Sequence, residues 1–207
     1  MNMVALPHVT GLDVEEAKQA LRSAARAHRA RRSAHEREEL GKRWVDTALD
    51  FVGDSKLVAA YVSVNDEPPT APLCDALVAS GHGLILPKLG PKLAREWAWY
   101  EGADDLKVMA PGRPPEPSGP AVGPEILAQV DVLIIPALLV NHQGRRIGQG
   151  GGWYDRVLKQ VTPPTRVGAM VFADEYVSAE FPQDDMDRPV PCVILPDRWG
   201  PCDGPIS

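Results

Sequence analysis

A glycine-rich segment, GQGGGWYDR at residues 148–156, is the part of the sequence best suited to hold an anionic ligand. Four of its first five residues are glycine, and glycine lets backbone N–H groups approach phosphate oxygens without obstruction by a Cβ atom. The segment follows an apolar run, DVLIIPALLV, whose first part, DVLIIP, predicts a strand, and it precedes a predicted helix over 152–160. Because helix N-termini present unpaired N–H groups, this order favours phosphate binding. A glycine-rich turn with Trp153 and Tyr154 packed in the core is the alternative.

The charged residues around this segment suggest a phosphate and a metal ion together. No GxxxxGK[ST] motif occurs, and Trp153 stands where a GxGxxG motif needs its third glycine. Arg145 and Arg146 precede the glycines, and one of them is expected to neutralise phosphate. Asp155 follows, and a carboxylate beside phosphate is favourable when Mg²⁺ lies between them. Alternatively, Asp155 interacts with its own helix dipole or pairs with a basic residue of the same helix.

A second group of cations lies near the N-terminus. Lys18, Arg22 and Arg26 are spaced four residues apart and share one face of a predicted helix, with Arg29 close by. A solvated basic face is the ordinary explanation of such a stripe. However, this helix has few large apolar residues to dock it. A polyanion bound between the helix and the glycine segment would explain the stripe.

A third polar group follows a predicted strand, in YVSVNDEPPT at residues 61–70. Asp66 and Glu67 would lie at the carboxyl end of that strand, on the same edge of the sheet as the glycine segment. They could simply begin a turn before a helix capped by Thr70. A carboxylate there could also accept hydrogen bonds from an amino-heterocycle.

Predicted helices and strands alternate along the chain. Asp13 is predicted to cap a first helix that ends at about 28–32, and Ser33 to open a second that runs towards Phe51. A third helix is predicted over 70–80, and 102–124 is expected to be a surface excursion. Strands are predicted for KLVAAYVS, GLILP, EWAWY, DVLIIP, RVGAMVF and PCVIL. Because parallel strands need helical crossovers, this alternation predicts an α/β fold with a largely parallel sheet.

Composition narrows the class of protein. The chain has 207 residues, 44% hydrophobic and 24% charged, which suits one buried core and predicts a single domain over 1–207. The net charge of −6 argues against a nucleic-acid partner. Three cysteines without CxxC spacing and five scattered histidines provide neither a disulfide framework nor a transition-metal site. We expect a cytoplasmic monomer that binds no membrane, since the apolar run at 132–140 is too short to span one.

Four segments, in order, resemble the 5-formyltetrahydrofolate cyclo-ligase family, also called methenyltetrahydrofolate synthetases. KQALR at 18–22 is similar to the family's KxxLR, and VSVNDEPPT at 62–70 to a strand that ends in a substrate-binding Glu. NHQGRRIGQGGGWYDRVL at 141–158 resembles the long signature DxxGxRLGxGxGYYDxxL. DDMDRPV at 184–190 resembles a C-terminal segment that carries an Asp. The segments span nearly the whole chain, and the signature is highly specific.

The resemblance implies a fold and an activity. The implied fold is a three-layer α/β/α domain related to sugar-phosphate isomerase and CoA-transferase folds. The implied reaction is the ATP- and Mg²⁺-dependent closure of 5-formyltetrahydrofolate to 5,10-methenyltetrahydrofolate, with release of ADP and phosphate. ATP and the folate would be the protein's partners, with ATP as co-substrate and Mg²⁺ as cofactor.

The resemblance also implies which residues form the site. Three cations would contact the ATP phosphates and stabilise the charge that develops during the reaction: Lys18, Arg22 and Arg146. The rest of the nucleotide cradle would be Ile147, Gly148, Gln149, Gly150, Gly151, Gly152, Trp153 and Tyr154. The folate would contact Val62 and Glu67 together with Gln149, Gly150, Gly151, Gly152 and Trp153.

For the metal ion, the resemblance implies Asp155 and Asp185. The family's C-terminal segment carries a second Asp, which is missing near Pro189 in this chain. Asp184 and Asp187 are therefore alternatives to Asp185 for completing the Mg²⁺ site.

Other departures from the family pattern leave a different class of function open. Asn141 replaces the Asp at the head of the signature, Gln149 stands where Tyr or Arg is usual, and Trp153 replaces the first Tyr. A non-catalytic folate- or nucleotide-binding protein on the same fold would tolerate such changes. An α/β sugar-phosphate or CoA-ester enzyme is suggested by fold analogy only.

Overall fold

The computed structural model describes residues 3–91, 94–110 and 113–203. The α-helices in these ranges are α1 Val14–Arg29, α2 Ala34–Val52, α3 Ala71–Ala79 and α4 Trp153–Leu158. The strands are β1 Leu57–Ala59, β2 Gly83–Leu89, β3 Arg95–Trp99, β4 Leu106–Lys107, β5 Glu116–Pro117, β6 Val132–Pro136, β7 Leu139–Asn141, β8 Arg146–Ile147, β9 Arg166–Met170, β10 Tyr176–Val177, β11 Cys192–Ile194 and β12 Trp199–Pro201. Within the described residues, no helix has the length and apolar composition needed to cross a membrane.

The first two helices begin where the sequence predicts. The Asp13 carboxylate accepts a hydrogen bond from the Glu16 N–H at 2.9 Å, and the Glu16 carboxylate accepts one from the Asp13 N–H at 3.3 Å. This reciprocal pair is a capping box, which satisfies N–H groups that the helix itself cannot. At the start of α2, the Ser33 hydroxyl accepts a hydrogen bond from the Glu36 N–H at 3.1 Å. The two caps thus fix where α1 and α2 begin.

A seven-stranded sheet forms the centre of the fold, in the order β12-β11-β9-β6-β1-β2-β3. The five inner strands pair in parallel, and the edge strands β3 and β12 are antiparallel to their neighbours. The prediction of an α/β fold with a largely parallel sheet is therefore confirmed. Two details of the prediction are wrong: β1 covers only three residues of KLVAAYVS, and β12 was not expected.

A small second sheet, in the order β10-β7-β8, corrects the expected surroundings of the glycine segment. The apolar run DVLIIPALLV contains both β6 and β7, so the glycines follow β8 and not a strand of the main sheet. The turn between β7 and β8 is held by the Asn141 carboxamide oxygen, which accepts hydrogen bonds from the N–H groups of Gln143 at 3.0 Å and Arg145 at 2.9 Å.

Two further predictions differ in extent from the structure. Helix α4 has six residues and not the nine expected over 152–160. It cannot start earlier because Gly152 takes the left-handed conformation, with φ of 62°. The expected surface excursion at 102–124 contains the antiparallel pair β4–β5, and Glu116 within it is buried. Part of this excursion therefore packs against the body of the protein.

Both faces of the central sheet are covered, which produces the expected three layers. Residues alternate between the faces, as a pleated strand requires: on β6, Val132 and Ile134 join an apolar cluster with α2 and α3. Leu133 and Ile135 join a second cluster on the opposite face, which includes Val157 of α4. The inner strands read as continuous apolar runs because they are buried on both sides.

Helix α1 is docked by a buried ion pair. The Arg29 guanidinium donates to both Glu175 carboxylate oxygens at 2.7 Å and to the Ala137 carbonyl oxygen at 2.6 Å. Arg29 is 2% exposed and Glu175 is fully buried. Beside this pair, Asp174 accepts hydrogen bonds from Arg32 and from His28 Nε2. These contacts tie the end of α1 to segments that follow β6 and β9.

We predict that Arg29→Met destabilises the protein by about 3–5 kcal/mol, because it leaves the Glu175 carboxylate buried without a counter-charge. The measurement is urea unfolding followed by circular dichroism. Lys42→Met is the matched control, since Lys42 forms only exposed pairs with Glu38 and Glu39 and should change the midpoint little. The double variant Arg29→Met/Glu175→Gln should regain part of the loss. Equal unfolding midpoints for Arg29→Met and Lys42→Met would contradict this account of how α1 is docked.

Candidate functional site

A cleft of about 520 Å³ opens at the carboxyl ends of β1, β2 and β6. Ligands of open α/β sheets bind at this edge, where the loops that leave the strands converge. The cleft is lined by residues of α1, of the loop after β1, of the ends of β2 and β6, of the glycine segment with its neighbours, and of two further segments. They are Glu15, Lys18, Arg22, Tyr61, Val62, Val64, Glu67, Pro87, Lys88, Leu89, Pro136, Asp184, Met186 and Asp187, with 113–116 and 146–156. The segments singled out in the sequence thus meet in one place.

The glycines of the segment serve two different purposes. Gly150 and Gly152 have positive φ angles of 102° and 62°, which L-residues with side chains rarely adopt. Gly151 has no such angle, and a Cβ atom on it would meet no atom within 4 Å. Within the described residues, the N–H groups of these three glycines make no hydrogen bond. The wall of the cleft therefore offers backbone donors to a ligand.

Helix α1 lies across the glycine segment through Arg22, which is 8% exposed. Its Nε donates to the Gly148 carbonyl oxygen at 3.2 Å, and its Nη1 donates to the Glu15 carboxylate at 2.6 Å. In a trans peptide the carbonyl and the following N–H point in opposite directions. The bond to Gly148 therefore turns the Gln149 N–H away from α1.

Lys18 lies one turn earlier on α1 and is 4% exposed. Its ammonium group donates to Asp184 at 2.7 Å and to Asp187 at 2.5 Å. Burial lowers the pKa of Lys18, but the hydrogen bonds and charges of the two aspartates outweigh burial, so the pKa is raised. The hydrogen bond from Lys18 lowers the pKa of Asp184. Lys18 and Arg22 are thus buried and paired, and the explanation by a solvated basic face is wrong for them.

The two arginines before the glycines have different surroundings. The Arg146 side chain is 4% exposed and lines the cleft, and its Nη2 donates to Asp155 Oδ1 at 2.6 Å. Its Nε is buried and has no partner within the part of the chain that the structure describes. Arg145, in contrast, points to an exposed pair with Glu180 at 3.2 Å. Asp155 therefore pairs with Arg146 and with no basic residue of its own helix.

The carboxylates of the cleft wall suit a hard cation. Asp155, Asp184 and Asp187 all line the cleft, whereas Asp185 is exposed and does not line it. Within the described ranges, no group of three or more His, Cys, Asp or Glu residues forms a metal cluster. Mg²⁺ does not need one, since it usually takes one or two carboxylates and completes its shell with phosphate oxygens and water. Asp155 Oδ1 accepts from Arg146 and from the Arg188 N–H at 3.3 Å, which leaves its second oxygen for such a role.

Glu67 joins the loop after β1 to the glycine segment. It is 6% exposed, and its Oε2 accepts a hydrogen bond from the Val64 N–H at 3.0 Å. Its Oε1 accepts one from Gln149 Nε2 at 2.8 Å. The loop is closed by two reciprocal bonds, since the Ser63 N–H donates to the Thr70 hydroxyl at 2.9 Å and the Thr70 N–H to the Ser63 hydroxyl at 3.1 Å. These bonds hold the Glu67 carboxylate in a fixed place.

Trp153 and Tyr154 pack against the core, as expected for a glycine-rich turn, and they also line the cleft, as expected for a binding segment. Tyr154 contacts both apolar clusters, and Trp153 packs against one of them. Burial, and then the negative charge of Glu67, raises the pKa of Tyr61 and of Tyr154, so both phenols stay protonated. Trp153 Nε1 is a buried donor without a partner among the described residues.

Sequence reasoning missed one side of the cleft. Arg113, Pro114, Pro115 and Glu116 line it together with Lys88 of β2, although 102–124 was expected only to cover surface. Glu116 is tied to β2, because its carboxylate accepts a hydrogen bond from the Leu89 N–H at 3.0 Å. The Gly- and Pro-rich composition of this segment gave no signal of the contact, because its position depends on strand pairing distant in sequence.

Comparisons with known proteins identify the family of this chain. The 5-formyltetrahydrofolate cyclo-ligase family model matches residues 14–196, which include every residue that lines the cleft. The chain is 34% identical over 149 residues to a 5-formyltetrahydrofolate cyclo-ligase of Mycolicibacterium smegmatis, with 69% of this chain and 75% of that protein covered. It is 27% identical over 177 residues to the Escherichia coli K12 protein of the same name, with 84% and 97% covered.

The fold is also similar to that of a solved relative. The NMR structure of Aquifex aeolicus 5,10-methenyltetrahydrofolate synthetase superposes with a TM-score of 0.74 at 27% identity, and covers 92% of this chain and 95% of that one. The family match extends over most of the chain, from residue 14 to residue 196. This chain is therefore a member of the 5-formyltetrahydrofolate cyclo-ligase family.

Proposed function

We propose that this protein is a ligase that converts 5-formyltetrahydrofolate to 5,10-methenyltetrahydrofolate with consumption of ATP. Family membership and the names of the relatives support the reaction. One observation of this structure carries the proposal: the glycine segment and Glu67 lie side by side in one cleft, joined by the 2.8 Å bond from Gln149. Phosphate bound on the glycine segment and an amino-heterocycle bound at Glu67 would thereby be next to each other, as a reaction between ATP and a folate requires.

The chemistry explains why the two ligands must meet. The formyl group on N5 is amide-like, and its oxygen leaves poorly as hydroxide. Transfer of the γ-phosphoryl group to that oxygen releases ADP and turns the oxygen into a good leaving group. N10 then attacks the formyl carbon, inorganic phosphate departs with the oxygen, and N10 loses its proton. The protein's part is to align the reactants and to stabilise charge on the transferred group.

We propose that the phosphates lie on the glycine segment, with Lys18, Arg22 and Arg146 as the neutralising cations. Each of these side chains keeps a donor beyond its contacts within the protein. Lys18 has three N–H donors for two aspartates, and Arg146 keeps its buried Nε. Residues 147–154 would form the remaining backbone and side-chain wall around the nucleotide.

We propose that the folate lies on the side of the cleft formed by Val62 and Glu67, in contact with the segment from Gln149 to Trp153. The Glu67 carboxylate is an acceptor suited to the amino and ring N–H groups of a pterin. Trp153 supplies apolar surface together with an indole N–H that lacks a partner in the described structure. These features match a flat ligand with hydrogen-bond donors on its edge.

Mg²⁺ would neutralise phosphate charge when bound, and we propose Asp155 as one residue that holds it. For the second carboxylate we favour Asp184 or Asp187 over Asp185, because both of them line the cleft. The assignment of Asp185 to the metal ion stays a prediction.

We further propose that 1–207 form a single domain and that the protein acts as a cytoplasmic monomer. Support for the single domain is that the central sheet takes strands from Leu57 to Pro201.

We predict that the purified protein forms 5,10-methenyltetrahydrofolate from 5-formyltetrahydrofolate and Mg-ATP, followed by the absorbance of the methenyl product. Product and ADP should appear in equal amounts, since one phosphoryl transfer accompanies each ring closure. A cyclo-ligase of known activity serves as the positive control. Folate binding without ATP consumption, beside an active control, would replace this proposal with a non-catalytic binding function.

We predict that Gly151→Ala raises the KM for ATP at least about tenfold, because the added methyl group would stand where phosphate approaches the backbone. The unliganded fold should be unaffected, because a Cβ atom at this position meets open space. Gly119→Ala is the matched control: its Cβ atom also meets nothing within 4 Å, and it lies outside the cleft. If steady-state kinetics give both variants the wild-type KM, the glycine segment is not the phosphate site.

We predict that Asp155→Asn raises the Mg²⁺ concentration for half-maximal activity about tenfold or more. The amide keeps the size of the carboxylate and can still accept from Arg146, so the change removes mainly the negative charge. Isothermal titration of Mg²⁺ in the presence of a non-hydrolysable ATP analogue gives a second readout independent of turnover. Asp46→Asn on α2, outside the cleft, is the control. An unchanged Mg²⁺ titration for Asp155→Asn would exclude Asp155 from the metal site.

A further inference from the structure

Arg26 contacts the glycine segment in a way that the basic stripe on α1 did not suggest. Its Nη2 donates to the Gln149 backbone carbonyl oxygen at 3.1 Å and to the Gln149 side-chain Oε1 at 2.9 Å. Its Nε donates to the same Oε1 at 3.3 Å. One guanidinium group thus holds both the main chain and the side chain of a single residue, and that residue also contacts Glu67.

Charge fixes the orientation of the Gln149 carboxamide. An arginine only donates hydrogen bonds, and an ionised carboxylate only accepts them. The amide must therefore turn its oxygen to Arg26 and its NH₂ group to Glu67, because the flipped amide would lose the contacts at both ends. The guanidinium also polarises the amide, which strengthens the hydrogen bond that its NH₂ group donates to Glu67. The position of the Glu67 carboxylate is thereby linked to Arg26.

The hydrogen bond from Arg26 to the Gln149 backbone carbonyl affects the glycine segment and not Glu67. Because carbonyl and N–H point in opposite directions in a trans peptide, the bond from Arg26 to the Gln149 carbonyl turns the Gly150 N–H away from α1. Arg22 does the same to the preceding peptide through the Gly148 carbonyl. Two arginines one helical turn apart thus orient two successive peptide planes. Among the described residues, the Gly150 N–H has no partner and remains open to a ligand.

We propose that Arg26 is a positioning residue for the reaction, acting through Gln149 on both the Glu67 carboxylate and the Gly150 N–H. The inference rests on the proposed function, in which Glu67 meets the folate and Gly150 meets the nucleotide. Arg26 itself does not line the cleft, so it affects both ligands without contacting either. A residue of this kind makes the two halves of the site dependent on the placement of α1.

The first test compares Arg26→Met with Arg43→Met. Methionine keeps much of the apolar stem of the arginine side chain and removes the N–H donors of its guanidinium group. Arg43 is the matched control, because it is an exposed arginine of α2 whose ion pair with Asp197 is loose at 3.9 Å and lies outside the cleft. For Arg26→Met we expect kcat/KM for 5-formyltetrahydrofolate to fall about tenfold or more, with the melting temperature equal to that of the control. Arg26→Lys should recover part of the loss, since one ammonium group can reach one of the two oxygens.

The second test separates the side-chain path from the main-chain path. In the Gln149→Ala background, Arg26→Met should raise the folate KM much less than in the wild type, since the link to Glu67 is already gone. The effect on the ATP KM should persist, because the Gln149 carbonyl is still present. A merely structural role would instead lower the melting temperature and change both KM values alike in either background.

The outcomes distinguish this inference from the proposed function. A wild-type protein without turnover, beside an active reference enzyme, overturns the proposed function and this inference with it. Wild-type turnover together with equal kinetics for Arg26→Met and Arg43→Met overturns the inference alone. Additive effects of Arg26→Met and Gln149→Ala on the folate KM also overturn it, because they would show that the two residues act separately.

Discussion

The site depends on one buried contact, the bidentate pair between Arg29 and Glu175, with the Ala137 carbonyl as its third member. Glu175 and Ala137 follow neighbouring strands of the central sheet, so the pair joins α1 to the edge at which the cleft opens. Charges buried to this degree tolerate little displacement, because a misplaced partner leaves an unpaired charge in an apolar environment. The helix is therefore held firmly at one end, and its earlier turns carry Arg26, Arg22 and Lys18 over the glycine segment.

Much of the fold could be predicted from local signals. Asp13 and Ser33 mark the starts of α1 and α2, because capping depends on residues close in sequence. The inner strands were recognisable as apolar runs, and their alternation with helices was enough to predict a largely parallel sheet. The small sheet of β7, β8 and β10 was not predicted. Its strands are too short to show an alternation of apolar and polar residues in the sequence, and β10 pairs with β7 although the two are distant in the chain. The same reason explains why Glu116 was missed.

The residues of the candidate site were predicted more easily than their partners. The glycine segment, Glu67 and the stripe on α1 are visible in the sequence because their types are unusual for their positions. Pairs such as Lys18 with Asp184, or Arg146 with Asp155, join residues whose relation only the folded chain defines. Gln149 illustrates the limit well. From the sequence it is a departure from a family pattern and an implied contact of both ligands, whereas the structure shows that it connects α1, the glycine segment and Glu67.

The pairing of each cation with a carboxylate has a consequence for how a nucleotide reaches the cleft. Lys18, Arg22 and Arg146 face Asp184 and Asp187, Glu15 and Asp155 respectively, at distances of 2.5–2.7 Å. At longer range these four negative charges outweigh the three positive ones, and the chain as a whole is negative at −6. An approaching polyanion is therefore not drawn in from a distance, and its encounter rate should not fall as ionic strength rises, because salt screens repulsion here and not attraction. Its capture depends instead on short-range exchange, in which phosphate oxygens take over donors that carboxylates held before.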